Sequence, residues 1–385
     1  MSWNPPSVIE QELYEARLKG DWALYHDVLA RSELFLAAPR QDVDAEPDAV
    51  RFYPANDVQL HVWTEGALPD PTDDLVFHGR DFGWFAAVWE DGDPPYLTVN
   101  PGTPCEANLP AADRARWTRH AERATRYGLE QGRVQTLRPA RPLPAPVVLG
   151  LAAGAHLSVR NGLFWNALGY QGQGYLLEQE KLRDSWGVTT REEWLASTER
   201  LLAGEVVDPL WELALHVRNV LHEHHGEPPA PEEWSQELAD GMRRSAARTG
   251  NPGSARELES LIGQGRMLVG RIGRYEERFR ADGLLADGAY VRSVLAWDYG
   301  RASQMARWGL GARFGTLAET EKAVVRAGEA ARAVYGSWED LSAGFVLGRC
   351  LHFDEERFGD WYEEMVVAHH ELTTDPDSPW LAISL

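Results

Sequence analysis

Three consecutive segments decide the fold: AWDYGRASQMARWGLGARF (Ala296 to Phe314), TLAETEKAVVRAGEAARAV (Thr316 to Val334) and SWEDLSAGFVLGR (Ser337 to Arg349). Apolar residues recur through them at the three- and four-residue spacing of a helix that buries one face. Thr316 and Glu319 open the second segment as a capping box, and Ser337 with Asp340 opens the third as a variant of one. In such a box the hydroxyl accepts from a free N–H of the first turn while the acid reaches back. Charges set into these apolar faces, Asp298 and Arg301 above all, predict a packed helical bundle with polar groups inside it.

Working outward, the same spacing predicts helices near 175–185, 191–203, 208–225, 231–248, 255–281, 288–308, 317–335, 338–352 and 358–372. Thr190/Glu193 and Ser254/Glu257 are further capping boxes. An all-α domain over 147–385 is therefore expected, larger than a four-helix bundle. Before it, RPARPLPAP (Arg138 to Pro146) reads as a stiff, proline-rich linker over 138–146. Residues 1–137 carry two short helices, then strands at Glu33–Ala38, Val58–Thr64, Leu75–Phe77 and Tyr96–Val99, and an Arg-rich amphipathic helix over Pro110–Tyr127. Residues 40–50 read as an acidic loop. Asn100-Pro101-Gly102-Thr103 is a type II turn signature: proline presets φ and glycine accepts a positive one. The fold class expected is α+β, a small mixed α/β domain followed by a larger all-α one.

The 385 residues carry a net charge of -21, and both halves are acidic. Such a surface repels phosphate backbones and anionic lipids, so neither nucleic acid nor membrane is an expected partner. Sixteen tryptophans, mostly within helical patterns, read as large core anchors whose N–H needs a partner. The two cysteines, Cys105 and Cys350, have neither metal spacing nor a disulfide framework. The opening MSWNPPSVIEQEL has no signal-peptide character, and the longest apolar segment, Val147–Val159, is too short to span a bilayer. A cytoplasmic location is expected.

Two resemblances follow from these motifs. LYEARLKGDWALYHDVLARSELFLA and PYLTVNPGTPCEANLP are similar to the SseB N-terminal family over roughly residues 10 to 130. That resemblance implies a fold and an interaction role rather than a reaction. SWGVTTREEWLAS (185–197), LAWDYGRASQMARWGLGARF (295–314), YGSWEDLSAGFVLGR (335–349) and the tail SPW (378–380) resemble the bacterial YbeU-like family of unknown function over about 175 to 385. It brings no catalytic residues.

The candidate polar pocket is Asp298, Arg301, Glu319, Glu321, Trp338 and Arg349. Asp298 and Arg301 stand three residues apart, so their side chains meet on one helix face. In such a pocket an arginine grips a small anionic ligand and a carboxylate serves as acid, base or metal ligand; the competing reading is a buried pair that fixes helix register. The histidines His216, His222, His224 and His225 are weak metal candidates, His222 and His225 sharing a face. They also complement the dipole of a helix ending before Gly226. Gly169–Gly174 (GYQGQG) lacks the phosphate-cradling pattern and reads as a loop. No Walker A, G-x-S-x-G or kinase set appears, and no catalytic residue or cofactor is assigned. The expected function is a non-catalytic interaction protein, an accessory or immunity-type factor that binds another protein. The alternative is an enzyme or small-molecule sensor built around Asp298, Arg301, Glu321 and Arg349.

Overall fold

The computed structural model describes residues 3–46, 52–70, 72–127, 134–138, 142–169, 174–249 and 255–385. The capping box expected at Ser254 and residues 170–173 of the glycine loop lie outside them. The chain is α+β, as expected from its sequence. It divides into two compact units that interleave along the sequence. The first comprises Met1–Pro144, Asn161–Leu195 and Met305–Lys322, and the second Ala145–Arg160, Ala196–Gln304 and Ala323–Leu385.

In chain order the elements begin with α1 (Val8–Lys19), α2 (Trp22–Ala30), β1 (Leu34–Pro39), α3 (Arg40–Ala45), β2 (Gln59–Thr64), β3 (Leu75–Arg80), α4 (Phe82–Val88), β4 (Tyr96–Val99), β5 (Ala107–Pro110) and α5 (Arg114–Tyr127). The acidic loop expected from residue 40 thus opens as a short helix that buries Val43. The strands form one mixed sheet in the order β3-β1-β2-β4-β5, with β2 and β4 parallel and the other neighbours antiparallel. β2 alternates as its sequence dictates, burying Leu60, Val62 and Thr64. Leu60 and Val62 join Leu13, Tyr25, Leu29, Phe82, Phe85 and Trp117 in one core.

The Asn-Pro-Gly-Thr turn closes as its residues require. Thr103 N donates to Asn100 O at 3.2 Å, and Gly102 takes φ 80°. Asn100 itself has φ 48°, a conformation costing roughly 1–2 kcal/mol for a residue with a Cβ. Its buried amide offsets that cost. Oδ1 accepts from Thr64 N at 2.8 Å, and Nδ2 donates to Thr64 Oγ1 at 2.9 Å. The turn is thereby fastened to the end of β2.

The remaining helices are α6 (Ala145–Ala153), α7 (Ala155–Arg160), α8 (Tyr175–Trp186), α9 (Arg191–Leu202), α10 (Pro209–His225), α11 (Pro231–Thr249), α12 (Ala255–Ala281), α13 (Leu295–Gly311), α14 (Leu317–Val334), α15 (Trp338–Phe353), α16 (Asp360–Thr374) and α17 (Pro379–Ala382). α15 is the hub of the second unit: every residue from Leu341 to Leu351 is buried. A helix apolar all round has no solvent side to show. α6 meets α14 at backbone distance, since a Cβ on Gly150 would lie 1.9 Å from Val324 O.

The helix expected to begin at 288 begins at 295 instead. Residues 288–294 form no helix, and carboxylates on other helices take up two of their N–H groups. Glu276 accepts from Val291 N at 2.8 Å and Glu212 from Val294 N at 2.6 Å. Such partners satisfy the backbone without a helix. Among the described residues no helix is long and apolar enough to cross a membrane.

Candidate functional site

Asp298 is fully buried in the first turn of α13. Its Oδ2 accepts from Val206 N at 2.9 Å and Val207 N at 3.0 Å, and its Oδ1 from Arg301 Nη2. Arg301 also donates from Nε to Trp297 O at 3.1 Å and lays its guanidinium 3.4 Å from the centre of the Trp297 ring. Burial lowers the Arg301 pKa to about 10, against the opposing pull of Asp298. Both carboxylate oxygens are therefore engaged, one pinning the loop between α9 and α10 and the other its own helix face. This is the geometry of a satisfied buried pair.

The other residues of the expected pocket hold separate posts. Arg349 in α15 is buried. Its Nη2 lies 3.3 Å from Glu364 Oε2, and its guanidinium sits 4.6 Å from the Trp361 ring centre. Burial, aided by the charge of Arg160, lowers its pKa to about 10. Trp338 donates from Nε1 to Ile383 O at 2.7 Å and stacks on Trp380. Trp380 in turn donates to Ala152 O at 3.1 Å. The Ser-Trp-Glu and Ser-Pro-Trp motifs are thus two halves of one clamp.

Glu319 and Glu321 belong to the first unit. Glu319 forms the expected capping box, accepting from Thr316 N and Oγ1, each at 2.9 Å, and also takes both guanidinium nitrogens of Arg191. Arg191 and the cap hold its pKa down to about 2. Glu321 is half-buried on α14 with no ion pair among the described residues.

His225 lies 3.5 Å from Glu233, whereas His222 packs edge-on against Tyr290. Among the described residues no three His, Cys, Asp or Glu side chains converge on a metal position.

Sequence reasoning missed a second polar cluster, made by α7, α15 and α16. Ser342 Oγ lies 2.8 Å from both His156 Nε2 and His369 Nδ1. All three residues are buried, and His156 stacks on Phe345 at 4.3 Å. Burial lowers the His369 pKa to about 4 and that of His156 well below its ordinary value. A serine between imidazoles is the raw material of nucleophilic catalysis. Here the hydroxyl is sealed away from solvent, so the cluster acts as a neutral hydrogen-bond chain. One signal of it in the sequence is His156, a polar residue within the apolar run 147–159.

Solvent is met instead at the end of α15. Phe353 and Trp361, 45% and 44% exposed, stack with ring centres 5.1 Å apart. Arg160 lies 5.3 Å over Trp361 and pairs with Glu364 at 2.5 Å. The intervening loop holds Glu355, Glu356 and Phe358 at φ 51°, 60° and 51°. Buried Asp354 keeps it there, accepting from Tyr275 OH at 2.9 Å, Phe358 N at 3.1 Å and Gly359 N at 3.3 Å. Three side-chain-bearing residues in the left-handed region mark a segment whose shape is imposed by its surroundings.

No curated protein and no solved structure is significantly similar to the chain. A family model described as protein of unknown function (DUF1266) matches residues 181–385, which takes in Asp298, Arg301, Arg349 and the Phe353–Trp361 face. The chain belongs to this DUF1266 family of proteins of unknown function.

Proposed function

We propose that this is a non-catalytic interaction protein of the bacterial cytoplasm, and that it docks another protein through the face made by Phe353 and Trp361. The exposed, stacked aromatic pair is the observation that carries this reading. Aromatic and arginine side chains dominate the energetics of protein interfaces. Arg349 and Arg160 flank the pair. The loop between the rings is held in shape by Asp354, so little ordering entropy remains to be lost on binding. A net charge of -21 favours a protein partner over a nucleic acid.

The likeness of residues 10 to 130 to the SseB family and of 175 to 385 to the YbeU family fits this reading, since neither brings a reaction with it. The competing idea of a ligand pocket around Asp298 gains no support from a carboxylate whose two oxygens are already taken.

The test is affinity capture with wild type beside Trp361→Ala and Phe353→Ala, each checked for an unchanged melting temperature. A protein retained by wild type and lost by both variants supports the proposal. Identical captured sets from all three overturn it.

A further inference from the structure

The second unit contains a cavity of about 400 Å3 between α10 and the non-helical stretch before α13. That volume suits a small metabolite. Glu212, Asn219 and Glu223 line it from α10, at spacings that keep them on one stripe of the helix. Tyr290 and Arg292 line it from the non-helical stretch.

The walls are rigid. Glu212 accepts from Ser293 Oγ at 3.1 Å and from Val294 N, and Tyr335 OH donates to Ser293 O at 2.9 Å. Behind Tyr290, Arg218 is committed to Glu276 through two hydrogen bonds of 2.9 and 2.7 Å.

Other polar groups of the lining are less committed. Asn219 donates from Nδ2 to Arg292 O at 2.9 Å, which fixes the orientation of its amide. Its Oδ1 is then a buried acceptor without a donor among the described residues, and His222 Nδ1 is also buried without a partner. Leaving such atoms unpaired costs about 1–3 kcal/mol each. Arg292 and Glu223 are exposed, and neither has an ion-pair partner among the described residues. The cavity lining therefore carries a guanidinium and a carboxylate that have no ion-pair partner among the described residues. Its two carboxylates disfavour a phosphate or nucleotide, and its acids and histidines do not converge for a metal.

We propose that this cavity binds a small zwitterion of the α-amino-acid type, its carboxylate held by Arg292 and its ammonium by Glu223. An arginine fork grips a carboxylate through two parallel hydrogen bonds. The site is independent of the Phe353–Trp361 face, so either reading stands if the other falls.

The experiment is calorimetric titration of the full chain with the standard L-α-amino acids, one at a time. Each amino acid that binds is repeated as its N-acetyl and methyl ester derivatives. The expected result is saturable binding of at least one amino acid, weakened about tenfold or more by either cap. Arg292→Gln and Glu223→Gln, both on exposed residues, should each weaken it comparably while leaving the melting temperature unchanged. The proposal is overturned if no amino acid binds, if a capped derivative binds as well as its parent, or if Arg292→Gln binds like wild type.

Discussion

The indole of Trp194 occupies the space that a side chain on residue 309 would need: a Cβ on Gly309 would lie 1.9 Å from Trp194 Nε1. The same indole donates to Met305 O at 2.9 Å, one turn earlier in α13. Gly309→Ala should therefore push the ring off its carbonyl and leave a buried N–H unpaired. The expected loss is about 2–4 kcal/mol from overpacking and the lost hydrogen bond together. Urea unfolding of the variant beside wild type checks it, and a loss under about 0.5 kcal/mol would show that the indole is free to shift.

Asp298→Ala should cost roughly 3–5 kcal/mol, because buried Arg301 loses its ion pair with Asp298 and two N–H groups of the 203–208 loop lose their acceptor. Asp298→Asn keeps an acceptor for one side only and should fall between. Melting curves decide between this outcome and a functional carboxylate, whose removal leaves stability unchanged or raised.

Acid should weaken the fold through His156 and His369. Their folded pKa values lie below the ordinary 6.5, that of His369 at about 4. In that window the unfolded chain binds protons that the folded one refuses. Stability is thus complete above about pH 6.5 and is lost progressively as the pH falls toward 4. His369 alone accounts for about 3 kcal/mol at 1.36 kcal/mol per unit. Denaturant titrations across this range should show the slope, and His369→Gln should flatten it. A wild type equally stable at both ends would refute the assignment of a neutral chain.

Both thiols should be silent in the native protein. Cys105 and Cys350 are 0% and 1% exposed, and burial raises the pKa of each. A thiol-reactive dye should label neither within the time it labels both in denaturant, since the thiolate is the nucleophile. Prompt native labelling of Cys350 would mean that α15 opens readily.

The helices were legible wherever a solvated face contrasts with a buried one and a cap marks the start. The boxes at Thr190 and Thr316 form as read: Glu193 N donates to Thr190 Oγ1 at 3.2 Å and Glu319 N to Thr316 Oγ1 at 3.3 Å. α6 and α7 escaped because every residue from Leu149 to Val159 is buried, so no solvated face contrasts with a buried one. The short strand β5 escaped for a related reason: Ala107–Pro110 is held by its pairing with β4, which four residues ending in proline do not announce. The 288–294 stretch was misread because its hydrogen-bond acceptors, Glu212 and Glu276, sit far away in sequence.

Candidate sites followed the same rule. The Asp298–Arg301 pair is a local relation, three residues apart on one helix, and its meeting was readable. The termini of its hydrogen bonds at Val206 and Val207 were not. The His156–Ser342–His369 chain and the Asn219–Arg292 contact are long-range, and no spacing within one element encodes them.

The clamp of Trp338, Trp380 and Ala152 has a consequence for synthesis. The bond from Trp380 to Ala152 joins residues 228 positions apart, so α6 leaves the ribosome long before its last neighbour exists. Contacts of such sequence separation form late and slowly. Until Trp380 has been made, Ala152 O lacks that donor, and apolar segments left uncovered in this way are the aggregation-prone parts of a folding chain.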